Sequence, residues 1–156
     1  MNDDIYYLKQ AVKAACEGIK KGGGPFGAVI VRDGEIIAKA GNRVVLSHDP
    51  TAHAEVLAIR EASDLLDSHD LSDCVLYASC EPCPMCLGAI YWAGIRRVVF
   101  ASGRSEASSA GFNDSFIYNE IGLDPSERKI SFIQIPDAGG EEAFRIWEHY
   151  EGKIPY

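Results

Sequence analysis

Two stretches decide how this chain is read: Asp49-Pro50-Thr51-Ala52-His53-Ala54-Glu55 and Cys80-Glu81-Pro82-Cys83-Pro84-Met85-Cys86. In the first, Asp49 as N-cap and Pro50 at the first helical position predict a helix start. Residues two apart on a regular helix diverge by roughly 200°. His53 and Glu55 therefore converge on one point only if that point lies at the end of the helix. In the second stretch, Pro82 or Pro84 predicts the start of another helix, reached from a strand at 74–79. Cys83 and Cys86 stand three apart, which puts both sulfurs on one side. A helix N-terminus also lowers a thiol pKa. His53, Cys83 and Cys86 are thus a candidate zinc set. Zinc favours nitrogen and thiolate ligands in tetrahedral geometry, and three protein ligands leave the fourth position to water. Two thiolates and a neutral imidazole balance the charge of Zn²⁺ and leave that water ionisable near neutral pH. Glu55 is then the carboxylate that moves protons.

Each fragment has a plainer reading. Cys83-x-x-Cys86 alone could be a redox pair, with Cys80-x-x-Cys83 overlapping it as a second. His53 alone could be a polar side chain at a helix start, and Cys80 could close the site as a fourth, structural ligand. The complete pattern, with Glu55 and both prolines, favours the open site. As H-x-E … P-C-x-x-C it matches a known signature of zinc nucleobase deaminases, a likeness of pattern that stands beside the chemical argument.

Outward from these segments, helix and strand alternate. Ile5, Leu8, Val12, Ala15 and Ile19 recur at helical spacing. They predict a first helix from Asp3 or Asp4 to Lys20, with Cys16 as a core thiol near the stripe. Gly22-Gly23-Gly24-Pro25 ends that helix. It is not a phosphate loop, because it follows a helix and no Gly-Lys-Ser/Thr comes after it. Strands are predicted at 26–31 and 35–40, joined by Asp33-Gly34, and runs such as Ala28-Val29-Ile30-Val31 imply burial on both faces. On composition, Asn42 reads as a turn residue. Further strands are expected at 96–101 and 129–135, with a functional loop through Gly111 and a short helix from 115 to 120. The last helix is expected at 141–151, with Ala143, Phe144 and Trp147 as its stripe. Trp92 points away from the cysteine side, toward core packing or a subunit contact. The expected fold is α/β: a three-layer α-β-α sandwich whose mixed five-stranded sheet carries helices on both faces.

Composition narrows the function classes. A chain of 156 residues is expected to be a single domain, 1–156, burying roughly 70% of its unfolded surface, with 152–156 as a C-terminal tail. The net charge of −8, from 15 basic and 23 acidic residues, opposes binding to phosphate backbones. Five cysteines, an odd number, do not imply a disulfide framework. The start lacks a basic and apolar leader, and no apolar run approaches a membrane span, so a cytoplasmic location is expected.

Pro-Phe-Gly-Ala-Val-Ile-Val from Pro25, Asn42 and the two opening stretches together resemble the cytidine deaminase superfamily. Within it, Gly111-Phe-Asn-Asp-Ser-Phe-Ile-Tyr118 and the terminal Tyr156 resemble the bacterial guanine deaminases. The resemblance runs nearly end to end and departs most between Pro136 and Tyr150. It implies that His53, Cys83 and Cys86 hold Zn²⁺ and that Glu55 shuttles protons. It further implies that Asn42, the backbone near Ala54, and Phe26 bind a purine. Asp114 would contact the guanine edge and act as a second proton carrier. Tyr156 would reach the site from a tail exchanged between subunits of a homodimer. The implied reaction is hydrolysis of guanine, a small-molecule substrate, to xanthine and ammonia. Alternatives are adenosine at a tRNA wobble base, cytosine or another small aminated heterocycle, and a zinc-stabilised binding module without turnover.

Overall fold

The computed structural model describes residues 2–156. They fall into two compact units, one ending at Asp114 and the other Ser115–Tyr156.

The first unit opens with α1 (Asn2–Lys20) and a hairpin of β1 (Gly27–Arg32) and β2 (Glu35–Gly41). Asp33 (φ 51°) and Gly34 (φ 81°) form the turn in the left-handed conformation that a two-residue hairpin loop requires. One helical turn, α2 (Val44–Ser47), precedes α3 (Ala54–Leu66). Then come β3 (Val75–Cys80), α4 (Pro84–Trp92), β4 (Arg97–Ser102) and α5 (Arg104–Ser109). The sheet order is β2-β1-β3-β4; β1 runs antiparallel to β2 and β3, and β3 is parallel to β4. A parallel pair needs a crossover, and α4 supplies it.

Side chains alternate across the strands. Val29, Val31 and Tyr77 meet Ala11 of α1 on one face. On the other face, Ala28, Ile30, Leu76 and Ala78 meet Ala54, Ala58 and Ala62 of α3 and Ile90 of α4. This makes the three layers, and it explains the continuous apolar runs of β1 and β3.

The buried face of α1 follows the expected stripe only in part: Ala15 is buried and Leu8 packs against the core. Ala11, Ala14 and Ala15 are buried, whereas Ile5, Val12 and Ile19 are 40–55% exposed, and Cys16 is exposed too. The reason is close backbone approach. A Cβ on Gly27 would lie 2.1 Å from the Ala11 carbonyl oxygen and 2.5 Å from the Ala15 nitrogen. Only small residues fit at that spacing, so the alanine row turns inward. The helix is also tied down near its start: Tyr77 donates to Asp4 at 2.7 Å, and Arg97 donates to both Asp4 oxygens at 3.1 and 2.8 Å.

The second unit holds α6 (Ser115–Ile121), single 3₁₀ turns at Pro125–Glu127 and Pro136–Ala138, and α7 (Glu141–His149). The strand expected at 129–135 belongs to no ladder, so the sheet has four strands and not five. A strand forms only where another edge takes up its backbone groups. Here the Lys129 N–H donates instead to the Glu120 carboxylate at 2.7 Å, and Arg128 lies over the Phe132 ring at 4.9 Å. No residue of this unit is buried.

Candidate active site

Two helix starts meet here. His53 (φ −69°, ψ 151°) is the N-cap of α3, and Cys83 (φ −68°, ψ 170°) is the N-cap of α4, with Pro84 at its first position. Asp49-Pro50 does not begin the helix. The Asp49 carboxylate accepts from the Thr51 N–H at 2.8 Å and the Thr51 hydroxyl at 2.7 Å. That closes a turn, continued by the Ala52 N–H to the Asp49 carbonyl at 3.1 Å and the His53 N–H to the Thr51 carbonyl at 2.7 Å; His53 itself is extended. The two side chains that seem badly spaced for one helix face are thus a cap residue and a first-turn residue, and both reach the helix end.

His53 Nδ1 lies 3.4 Å from Cys83 Sγ and 3.5 Å from Cys86 Sγ. All three ligand atoms fall within 4.8 Å of one another. Around a tetrahedral zinc, bond lengths of about 2.3 Å to sulfur and 2.0–2.1 Å to nitrogen give an N···S edge of about 3.6 Å. The set therefore fits zinc almost as it stands. The Cys83 thiol is pulled down to about 4, first by its interaction with the neighbouring Cys86 thiol and then by His53. Cys86 is pushed up, chiefly by the same Cys83 sulfur and then by burial. Left to themselves the two sulfurs share one proton; a divalent cation is the partner that lets both ionise.

Glu55, on the first turn of α3, is 6% exposed. Its Oε2 accepts from Cys86 Sγ at 3.5 Å, yet it stands outside the ligand set. Burial pushes its carboxyl up from the ordinary glutamate value, making it a better proton acceptor than an exposed glutamate. Cys80 is not a fourth ligand: its thiol faces the Gly103 carbonyl at 3.5 Å. Every cysteine is free.

Each of the other expected residues is placed by its own contacts. The Asn42 N–H donates to the Phe26 carbonyl at 2.9 Å, and the Arg43 N–H donates to the Ala52 carbonyl at 2.9 Å. The first bond ties the end of β2 to the residue before β1, and the second ties Arg43 to the turn that precedes His53. Asn42 is 7% exposed, and its Oδ1 accepts from the Val44 N–H at 3.2 Å. Ala54 is fully buried. The Phe26 ring meets Phe112 edge to face, centroids 4.9 Å apart. Asp114 pairs with Arg104 at 3.4 Å. Tyr156, at the end of the second unit, is 82% exposed. Arg104 and Phe112 are contacts that the sequence reading misses. The signal for α5 is present in the chain: Glu106 stands three residues after Gly103 and accepts its N–H at 3.1 Å, the second half of a capping box.

Among the described residues, no helix is long and apolar enough to cross a membrane. Residues 1–102 match the family model described as the cytidine and deoxycytidylate deaminase zinc-binding region. The chain is 54% identical to guanine deaminase of Bacillus subtilis over the full length of both proteins. The X-ray structure of guanine deaminase from Bacillus subtilis superposes with a TM-score of 0.94 at 53% identity, covering 97% of each chain. A tRNA-specific adenosine deaminase of Aquifex aeolicus is 47% identical over 97 residues, 62% of this chain and 64% of that protein. The chain belongs to the cytidine and deoxycytidylate deaminase family, whose shared region binds zinc.

Proposed function

We propose that this protein is a guanine deaminase, hydrolysing guanine to xanthine and ammonia, and that it works in the cytoplasm as one functional domain over 1–156. The observation that carries the reading is a zinc-fitting His53–Cys83–Cys86 set with buried Glu55 beside it, in a chain similar end to end to a guanine deaminase.

His53, Cys83 and Cys86 hold the metal. Zinc, when bound, supplies a Lewis acid that makes water a competent nucleophile near pH 7. Glu55 accepts a proton from the attacking water as the new C–O bond forms at guanine C2. It passes that proton to N3, which receives the electron pair of the opened C2–N3 π bond. Glu55 then takes the remaining proton from the new C2 hydroxyl and delivers it to the exocyclic amine; the oxygen's electron pair forms the C2 carbonyl as the C2–N bond breaks, and ammonia leaves. A positioned acid–base group contributes about 10²–10⁴-fold. Asn42, the backbone at Ala54, and the Phe26 ring hold the purine, while Asp114 binds the guanine edge and carries a second proton.

The tail, 152–156, acts as a cover exchanged between two subunits, with Tyr156 reaching the partner's site. Exposed apolar side chains support the homodimer. Tyr91 and Trp92 on α4 are 77% and 68% exposed, and Ile133, Phe144 and Ile154 of the second unit are 68–81% exposed. Subunit contact removes such surface from water.

The test is ammonia release across guanine, cytosine, adenine, adenosine and a tRNA stem-loop, with the native chain, Asp114→Ala and a chain lacking 152–156. Guanine should be much the fastest substrate, and both variants should lose guanine turnover while keeping zinc. Faster deamination of the stem-loop would replace this reading with RNA editing.

A further inference from the structure

The glycine cluster that ends α1 has no part in the chemistry above, yet it packs on a residue that does. A Cβ at Gly23 would lie 2.3 Å from the Asn42 carbonyl oxygen. A Cβ at Gly24 would lie 3.0 Å from Asn42 Oδ1, 3.1 Å from Cγ and 3.5 Å from Cβ. The Gly23 N–H is held by the Gly18 carbonyl at 2.9 Å, so the turn is anchored to α1 and does not move freely away. On its other side, the Asn42 amide is engaged by the Val44 N–H at 3.2 Å.

We infer that Gly24 is a positioning residue for substrate: its missing side chain is the space that lets the Asn42 amide take the one orientation in which Oδ1 meets Val44. With the oxygen so occupied, the amide nitrogen is the donor offered to a purine acceptor. The inference rests on the reading of Asn42 as a purine-binding residue and adds the element that sets its direction. A methyl at residue 24 would push on Oδ1 and Cγ, atoms near the end of the side chain. The amide must then swing by a few tenths of an ångström, which strains its 3.2 Å bond with the Val44 N–H. An ångström of misplacement can cost an enzyme about 10²-fold, so this smaller shift should cost about 10-fold. The three atoms nearest such a methyl all belong to Asn42, and none belongs to a zinc ligand.

The experiment is a double-mutant cycle on the zinc-loaded protein, with Gly24→Ala, Asn42→Ala and both together, scored by kcat and KM for guanine and by zinc content. Gly24→Ala should raise KM for guanine roughly 10-fold, with kcat within about 3-fold and zinc unchanged, the pattern of lost uniform binding. In the Asn42→Ala background the same substitution should change kcat/KM less than about 2-fold, because residues that act through one another are not additive. If the two losses simply multiply, Gly24 does not act through Asn42 and the inference falls, while the purine-binding reading stands. If Asn42→Ala alone leaves guanine kinetics unchanged, the purine-binding reading falls and takes the inference with it. Should Gly24→Ala fold poorly, melting temperatures decide. The double variant, whose residue 42 keeps only the Cβ at 3.5 Å, should melt with Asn42→Ala; a much lower melt overturns the inference.

Discussion

Replacing Gly27 with alanine tests the contact on which the layers are built. Its backbone does not take a positive φ, so in open space Gly→Ala would stabilise the protein by about 0.4–1 kcal/mol by restricting the unfolded chain. The structure reverses that sign. The added carbon would sit 2.1 Å from the Ala11 oxygen, where ordinary contact begins at 3.4 Å. Either α1 retreats by about an ångström or β1 bends. The obstructing atoms are backbone, so no rotamer change relieves them. Overpacking costs about 1–3 kcal/mol where side chains can adjust, and about 3 kcal/mol is the reasonable expectation here. For a chain of this size, each kcal/mol moves the melting temperature by about 2–4 °C, which gives a fall of roughly 6–12 °C. Calorimetry on the zinc-loaded protein, with urea melts as a second probe, measures it. An unchanged or raised melting temperature would refute the close-approach argument. It would also remove the explanation for why alanines, and not Ile5, Val12 and Ile19, face the sheet.

Three further expectations follow from the site and from the tether on α1. Glu55→Gln should keep its zinc and its fold while losing at least about 10²-fold in turnover; near-normal turnover would remove Glu55 from the proton path. Cys86→Ala should lose most of its metal by atomic absorption, and full occupancy would show that the ligand set is wrong. Asp4 is held down to about 2, first by the Arg97 guanidinium and then by the Tyr77 hydroxyl. A lowered carboxyl stabilises the fold above its unfolded pKa and stops doing so as pH falls through the folded one. The urea midpoint of the native chain should therefore exceed that of Asp4→Asn near neutral pH, and the gap should close between 3.8 and about 2. A gap that persists at the acid end would mean that the pair's charge is irrelevant.

The candidate metal set is legible because its spacing encodes chemistry and survives any error in helix boundaries. His53 and Cys83 can be named even though capping rules put the start of α3 four residues early. That misplacement is physical: Asp49 can cap a helix or close an Asx turn, and only the bonds to Thr51 decide which. Strand positions come within a residue because β1 and β3 are buried on both faces and leave an unbroken apolar run. The face of α1 is legible only in part: Leu8 and Ala15 face the core, but hydrophobicity also favours Ile5, Val12 and Ile19 where backbone proximity at Gly27 demands alanine. Segment 129–135 has the composition of a strand, but composition does not supply a neighbouring edge. Arg104 is hidden in a stretch of Ser, Ala and Gly that reads as loop, and its pairing with Asp114 is a contact across ten residues that no local pattern announces.

His53 occupies the position where α3 is normally capped, and its side chain bonds no backbone N–H of that helix. A capping side chain contributes about 0.5–2 kcal/mol, which α3 forgoes while the His53 ring faces Cys83 and Cys86; at α4 the Cys83 sulfur does take up the Cys86 N–H of its own first turn. The first turns of α3 and α4 are therefore where metal loading should register in the backbone. Removing zinc with a chelator should fray the first turns of α3 and α4 while β1 and β3 stay closed. Amide hydrogen exchange at 54–57 and 85–87 then becomes a meter of metal occupancy that needs no substrate. It would report loading residue by residue, including in variants whose activity is already gone.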